Sequence, residues 1–155
     1  MSVMEMPYQL LVAESDLIVL GKVKSIEQSV AGERHARAKV LEVWKGNATD
    51  EVVFLASPAW TCDISEAEPG ETSVLFLKHR RSGPPEITHA GRGRMPLRMV
   101  GKESYATLWS EVVLPPTTPL IPGPAPEYPF IRSVELDVLK NLIERAHASW
   151  PLKWE

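Results

Sequence analysis

Five arginines in the middle of the chain have the most specific chemistry in this sequence. They are Arg80, Arg81, Arg92, Arg94 and Arg98. Arg92 and Arg94 are two residues apart, so their side chains would lie on the same face of a strand. If the segments 76–81 and 90–98 form neighbouring strands, the guanidinium groups converge on a patch for phosphate or carboxylate groups, to which arginine donates paired hydrogen bonds. The five arginines are therefore the predicted ligand-binding residues.

The charge distribution around these arginines supports a basic surface. Residues 78–102 contain seven basic residues and one acid, Glu86, which gives this segment a charge of +6 in a chain of net charge −3. The segment contains no Phe, Tyr or Trp, whereas proteins that bind single-stranded nucleic acid stack bases on aromatic rings. A protein or anionic ligand is thus the favoured partner, and nucleic acid is disfavoured. A solvated basic face that pairs with the acidic loop at 63–71 is the alternative without a ligand.

Motifs for catalysis, metals and cofactors are missing from the sequence. Gly91-Arg-Gly-Arg94 is half of a glycine-rich phosphate loop, but the third glycine and the Lys-Ser/Thr pair do not follow it. The four histidines have no HxxxH or HExxH spacing, and Cys62 lies in an acidic loop that does not favour a reactive thiolate. We therefore expect no catalytic residue, no metal site and no cofactor. An enzyme of unrecognised type would need a deep pocket with convergent polar groups.

Length and composition indicate one globular domain over residues 1–155. The chain is 44% hydrophobic and 24% charged, the balance of an ordinary globular protein, and its single cysteine excludes an intramolecular disulfide. No apolar run approaches the roughly 20 residues that span a bilayer. The first eight residues have neither the basic nor the apolar region of a signal peptide. A leader removed earlier would leave the same sequence, so the compartment stays open, as does the oligomeric state.

Four segments in the first half of the chain have the pattern of strands. They are 17–26, 34–45, 51–56 and 72–79. Short strands at this spacing, separated by turn residues, predict an antiparallel meander or barrel. Gly21 inside the first strand predicts a bulge or a bend, and Trp44 near the end of the second is expected to cap one mouth of the barrel. Pro7 predicts a short helix from 7 to about 14.

The second half of the chain gives a less regular pattern. Residues 86–90 and 92–100 are expected to form a fifth strand or a hairpin, and 105–113 is apolar enough for a buried strand, which we favour over a helix. Residues 114–130 hold seven of the fourteen prolines. They are expected to form an extended surface connector, with a disordered hinge as the alternative. Residues 131–149 have the apolar spacing of a helix, with Ser133 as its N-cap.

Together these patterns predict a mainly β fold. It is an OB-type antiparallel barrel of five to six strands, with a short N-terminal helix and a C-terminal helix. The barrel core is expected at 7–113, the proline-rich connector at 114–130 and the C-terminal helix at 131–149.

The first half of the chain also resembles a known family. The residues that show the resemblance are Ala13-Glu-Ser-Asp16-Leu-Ile-Val-Leu-Gly21-Lys-Val, Lys39-Val-Leu-Glu-Val-Trp-Lys-Gly46, the lone Cys62 and Pro69-Gly-Glu-Thr-Ser-Val-Leu-Phe-Leu77. In this order, over about residues 7–78, they are similar to the bacterial tissue-inhibitor-of-metalloproteinase-like, or netrin-module-like, proteins. The resemblance implies a five-stranded OB-type barrel with helices packed against it.

The inhibitory chemistry of that family does not carry over to this chain. Its inhibitors chelate the zinc of the protease with an N-terminal Cys-x-Cys, whereas this chain begins Met1-Ser2-Val3. Cys62 matches a cysteine position of the family, but its disulfide partner is missing. We expect a non-enzymatic binding domain for a protein or an anionic ligand. Single-stranded nucleic-acid binding through 78–102 and a protease-inhibitor-like role are the alternatives.

Overall fold

The computed structural model describes residues 5–30, 32–56, 67–108, 112–125 and 127–149. Cys62 and residues 63–66 of the predicted acidic loop lie outside the described residues. Strands dominate the described part of the chain. In chain order the elements are β1 Met6–Pro7, α1 Tyr8–Glu14, β2 Leu17–Gln28, β3 Arg34–Lys45, β4 Glu51–Leu55, β5 Thr72–Lys78, β6 Glu86–Ile87, β7 Arg94–Val100, β8 Glu103–Leu108, β9 Val112–Val113, β10 Ile121–Pro122, β11 Arg132–Glu135 and α2 Leu136–Ser149.

Five of these strands close into a barrel. In the order β5, β2, β3, β4 and β6, each strand pairs with the next, and β6 pairs back onto β5. Because β6 has only two residues, the closure rests on three residue pairs: Leu55 with Glu86, Leu77 with Ile87, and Lys78 with Glu86. The predicted mainly β fold, with a five-stranded barrel and a helix towards each end of the chain, is confirmed. The barrel is compatible with the OB type.

Apolar side chains fill the barrel. Alternate residues of a strand point to the same face, and the inward set is Leu17, Val19, Val23, Ala36, Ala38, Phe54, Ala56, Ala67, Leu75, Leu77 and Ile87. Ala36 lies directly opposite Phe54 on the neighbouring strand, so its small side chain leaves room for the ring. The β2–β3 pairing is irregular between Leu20 and Gly21, where the sequence predicts a bulge.

A second core lies on the outside of the barrel. Beyond β5 the sheet continues through β7, β8, β11 and β10. Helices α1 and α2 cover the outer face of this extended sheet. Their residues Leu11, Leu139 and Ile143 are completely buried, in one cluster with Phe76 of β5 and Met95 of β7. The two helices are therefore fixed to the same sheet and to each other.

Trp44 lies in this outer core, so the prediction that it caps a mouth of the barrel is wrong. Its side chain is buried in the cluster that contains both helices. In the β2–β3 pairing, Ile18 lies opposite Lys45 and Val19 lies opposite Val43, which leaves Trp44 as an extra residue. A bulge of this kind re-aims the side chain that it carries. The consequence here is that Trp44 packs on the helix side.

The C-terminal helix begins later than the sequence indicates. Helix α2 begins at Leu136, and residues Arg132–Glu135 instead form β11, which pairs antiparallel with β8. Ser133, the predicted N-cap, is buried within that strand, and its hydroxyl accepts a hydrogen bond from the Arg98 guanidinium (3.2 Å). Strand β8 offers a free edge at this point. Pairing with that edge overrides the local capping signal.

The proline-rich segment contains turns in place of one continuous extended run. The N–H of Thr118 donates to the carbonyl of Pro115 (2.9 Å), and the N–H of Tyr128 donates to that of Ala125 (3.0 Å). Between these turns, β10 pairs with β11 at the edge of the sheet. An edge position tolerates proline because the missing N–H is not needed by a further strand.

The segments for which the sequence leaves two structures open also contain strands. Residues 86–100 form β6, a 3-10 turn at Ala90–Gly93 and β7. Within 105–113, for which we favoured a strand over a helix, residues 105–108 belong to β8 and 112–113 form β9. Strand β9 pairs in parallel with β1, so the start of the chain is held beside this part of the sheet.

Candidate functional site

Arg80, the first of the predicted ligand-binding arginines, spans the closure of the barrel. Its Nη1 donates to Oε2 of Glu33 (3.0 Å) and its Nε donates to the carbonyl of Pro84 (2.7 Å). Glu33 lies in the turn between β2 and β3, and Arg80 follows β5, so the ion pair bridges the two sides of the closure. The hydrogen bond from Arg80, and then that from His35, lowers the pKa of Glu33.

Arg94 is committed to a buried ion pair. Its Nε and Nη2 donate to the two carboxylate oxygens of Glu71 at 2.7 and 2.6 Å. The side chains of Arg94 and Glu71 are only 4% and 14% exposed. The buried hydroxyl of Ser73 donates to the same carboxylate (2.5 Å). This geometry is the paired recognition predicted for an anion, but the anion is a residue of the protein itself.

The other three arginines lie in different places. Arg98 donates to the hydroxyl of Ser133 (3.2 Å) and to the carbonyl of Pro122 (2.5 Å), which ties β7 to β10 and β11. Arg81 is exposed after the end of β5, and Arg92 lies half-buried in the 3-10 turn. The structure therefore uses Arg80, Arg94 and Arg98 to join three separate parts of the fold. That the five arginines bind a ligand stays a prediction.

Two of the histidines lie beside the C-terminal end of α1. The backbone N–H of His79 donates to the carboxylate of Asp16 (2.7 Å), and the ring of His89 hydrogen-bonds the carboxylate of Glu14. His89 has a positive φ of 54°, which is uncommon for a residue other than glycine. These contacts fasten the helix to the barrel. Within the described ranges, no group of three or more His, Cys, Asp and Glu residues is placed to hold a metal ion.

A groove of about 450 Å³ opens on the helix side of the molecule, a size typical of small-molecule sites. It lies between the first turn of α1, the turn at 115–118 and helix α2. Its apolar lining residues are Pro115, Pro119, Val138, Leu142 and Ala146. Its polar lining residues are Tyr8, Gln9, Thr117, Thr118 and Arg145. We refer to this feature as the helix-side groove.

Tyr8 is a buried residue that lines the helix-side groove. The residue is 8% exposed, and its hydroxyl makes no hydrogen bond with any other described residue. Buried tyrosine hydroxyls in folded proteins are nearly always hydrogen-bonded, because an unpaired polar group loses its interaction with water. The hydroxyl of Tyr8 therefore lacks a hydrogen-bond partner among the described residues.

Arg145 is the cation of the helix-side groove. It is exposed and forms no ion pair or hydrogen bond with the residues that the structure describes. The residues one turn away on α2, Asn141 and Ser149, are uncharged, so no carboxylate on the same helix face can pair with it. The lining residues include no Asp or Glu. The described lining of the groove thus has one positive charge and no negative charge.

Polar contacts fix the two helices that form the groove. The Lys45 Nζ donates to the carbonyl of Val12 in the last turn of α1 (2.8 Å), a contact in which burial lowers the pKa of the lysine. The Nζ of Lys140 on α2 donates to Glu42 on β3 (2.7 Å). That hydrogen bond raises the pKa of Lys140 and lowers the pKa of Glu42. Tyr8 and Arg145 consequently project from helices that are anchored to the barrel.

Sequence reasoning missed the helix-side groove. Neither Tyr8 nor Arg145 stands in a sequence motif that marks a ligand-binding residue. The groove is formed by three segments that are far apart in the sequence, so no local motif indicates it. Only the packing of both helices on one sheet, described above, brings them to the same groove.

Comparisons with family models and with curated proteins found no match for this chain. No protein-family model matches it, and no curated protein is similar enough to count as a match. A search of the described helices found none long and apolar enough to cross a membrane.

Proposed function

We propose that this protein is a non-enzymatic binding domain whose ligand or partner occupies the helix-side groove. One observation carries the proposal: Tyr8 and Arg145 line the same groove, and neither side chain has a hydrogen-bond or ion-pair partner among the described residues. Binding sites are typically concave and largely apolar, with a few polar groups that set the orientation of the ligand. The groove is concave and combines five apolar lining residues with five polar ones.

The packing of the barrel supports binding on its outside. The interior is occupied by the inward-facing cluster that includes Phe54, Leu75 and Leu77, all of which are completely buried. A barrel of this diameter whose interior is filled by side chains offers its ligands only an outer surface. On the helix-covered face, polar residues without a partner among the described residues line a concave surface.

The position of the arginines supports the groove over the basic segment 78–102. Arg80, Arg94 and Arg98 already donate to groups within the protein. A nucleic-acid surface requires guanidinium groups that are available to phosphates. The basic segment is therefore the weaker candidate, for an anionic protein as well as for a single strand.

The resemblance to netrin-module-like proteins supports a binding role, because the barrel with its packed helices is compatible with that architecture. The zinc-chelating Cys-x-Cys is missing from the sequence. Inhibition of metalloproteinases is therefore not part of the proposal.

The proposal is tested by heteronuclear NMR on the full chain labelled with 15N. Pools of small organic acids, neutral compounds and amines, together with a 15-nucleotide thymidine strand at low salt, are added in turn. We expect a member of these pools to shift the amide signals of Thr117, Thr118 and residues 138–146. Thr117→Trp, an exposed substitution that fills the groove, is expected to abolish the shifts, whereas the exposed control Gln28→Trp is expected to retain them.

Two results would contradict the proposal. One is a set of ligands whose shifts are the same in Thr117→Trp and in Gln28→Trp. The other is a response confined to residues 78–102, which for the thymidine strand would favour the nucleic-acid alternative.

A further inference from the structure

We infer that the helix-side groove recognises the carboxylate of a small amphipathic organic acid, with Arg145 and Tyr8 as the residues that hold it. This inference rests on the proposed function, because it names the ligand of the same groove. Three features support it: the charge of the groove, the donors that line it and the character of its walls.

The charge of the groove fits a monoanion. Arg145 is the only charged residue among the ten that line the groove, so the described lining provides one positive charge. A phosphate monoester carries a charge of about −1.5 to −2 at neutral pH and is held by several cations or backbone amides. A carboxylate carries a single negative charge, which one arginine balances.

The donors of the groove fit the two oxygens of a carboxylate. A guanidinium presents a planar fork of N–H groups that matches a carboxylate edge-on. The hydroxyl of Tyr8 supplies one further donor, and binding would give this buried residue the hydrogen bond that it lacks among the described residues. Because Tyr8 lies on the rigidly anchored helix α1, the hydroxyl is positioned before the ligand arrives.

The walls of the groove fit an apolar body behind the carboxylate. Val138 and Leu142 line one wall from α2, and Pro115 and Pro119 line another from the proline-rich segment. Apolar surface removed from water contributes favourably to binding in proportion to its area. A ligand with one negative charge and a short apolar body therefore fits both the donors and the apolar walls of the groove, whereas acetate fits only the donors.

The test compares three probes that separate these parts: hexanoate, 1-hexanol and acetate. Each is titrated into the 15N-labelled full chain, and dissociation constants are taken from the amide shifts of Thr117, Thr118 and residues 138–146. We expect hexanoate to bind at least about tenfold more tightly than either of the other probes, since a hydrogen-bonded charge contributes about a factor of ten or more.

Two substitutions assign the carboxylate to its donors. Arg145→Gln is expected to weaken hexanoate binding by about 10- to 100-fold, and Tyr8→Phe by about three- to tenfold. The exposed arginine on β11 gives a matched control, Arg132→Gln, which is expected to bind as the unchanged protein does. Urea midpoints confirm that all three variants fold. Neither Tyr8 nor Arg145 loses an internal hydrogen bond in these variants, so the midpoints are expected to stay unchanged.

The outcomes distinguish this inference from the proposed function. If 1-hexanol binds as tightly as hexanoate, or if Arg145→Gln binds hexanoate normally, the carboxylate assignment is overturned while the groove remains a binding site. A hexapeptide with a free C-terminus, compared with its amidated form, forms a further arm. Binding of the free peptide without binding of hexanoate overturns the small-acid assignment in favour of a peptide end. Failure of every probe overturns the inference, and if the compound pools also fail, the proposed function falls with it.

Discussion

Replacement of Arg94 by methionine tests whether the most deeply buried charge of the basic segment has a structural role. In the folded protein the Arg94 guanidinium donates two hydrogen bonds to Glu71, at 2.7 and 2.6 Å, and is itself 4% exposed. Methionine has a similar length and no charge. After the substitution, the carboxylate of Glu71, whose side chain is 14% exposed, loses both hydrogen bonds from Arg94 and keeps the one from the hydroxyl of Ser73.

The expected loss is large, because breaking a buried ion pair at one partner costs about 3–5 kcal/mol. Domains of this size have a free energy of unfolding of about 5–15 kcal/mol. At a urea dependence of about 2 kcal/mol per molar, the loss lowers the urea midpoint by roughly 1.5–2.5 M. Equilibrium unfolding in urea measures it, with Arg132→Met as the control: that exposed arginine is expected to change the free energy by less than about 0.5 kcal/mol.

A double substitution separates the ion pair from other effects of the change. Arg94→Met combined with Glu71→Met removes both charges, and replacement of a buried pair by apolar residues is often close to neutral. The double variant is therefore expected to be more stable than either single one, with a favourable coupling in the double-mutant cycle. Equal urea midpoints for Arg94→Met and Arg132→Met would refute the reasoning. So would a double variant whose loss is the sum of the two single losses.

Three further features of the fold are tested by urea unfolding of five single variants. The hydrogen bond from Arg80 lowers the pKa of Glu33 below 4.5, so its stabilising effect is present above pH 4.5 and is lost as the pH falls through the lowered pKa. The urea midpoints of the unchanged protein and of Glu33→Gln are therefore expected to differ at pH 7 and to converge in acid. A difference between the midpoints that does not change with pH would contradict this prediction. His89 has a φ of 54°, so His89→Gly is expected to be about 1 kcal/mol more stable than His89→Ala, whereas equal stability would argue against strain. Gly46 and Gly32 both have a positive φ, but only at Gly46 would a Cβ lie within 2.5 Å of a backbone carbonyl oxygen. Gly32→Ala is therefore expected to lose about 1–2 kcal/mol and Gly46→Ala distinctly more, and equal losses would contradict the contact.

The barrel could be predicted because its signals are local. Strands β2, β3, β4 and β5 each show runs of apolar or β-branched residues between turn residues, and their predicted bounds differ from the observed ones by two residues or fewer. The glycine in β2 likewise marked an irregular pairing. Such patterns depend on neighbours in the sequence, which is why the chain alone reveals them.

The parts that could not be predicted depend on contacts between distant segments. Ser133, the predicted N-cap, is a strand residue because its segment pairs with the edge of β8. The partners of Arg80 and Arg94 are carboxylates 47 and 23 residues away in the sequence. The groove requires Tyr8 from one end of the chain and Arg145 from the other. Neither residue stands in a pattern that indicates a ligand until the helices are placed.

The two-residue strand β6 has a consequence for the motion of the barrel. Because so few pairs join β6 to its neighbours, separation at this seam breaks fewer backbone hydrogen bonds than separation along the long β2–β3 ladder. The amide of Leu55, which donates to Pro85, and that of Thr88, which donates to Phe76, both border the seam. Their protons are expected to exchange with solvent deuterium before those of β2. The molecule would then unroll from this side into an open sheet, while the helix-backed half keeps its native packing.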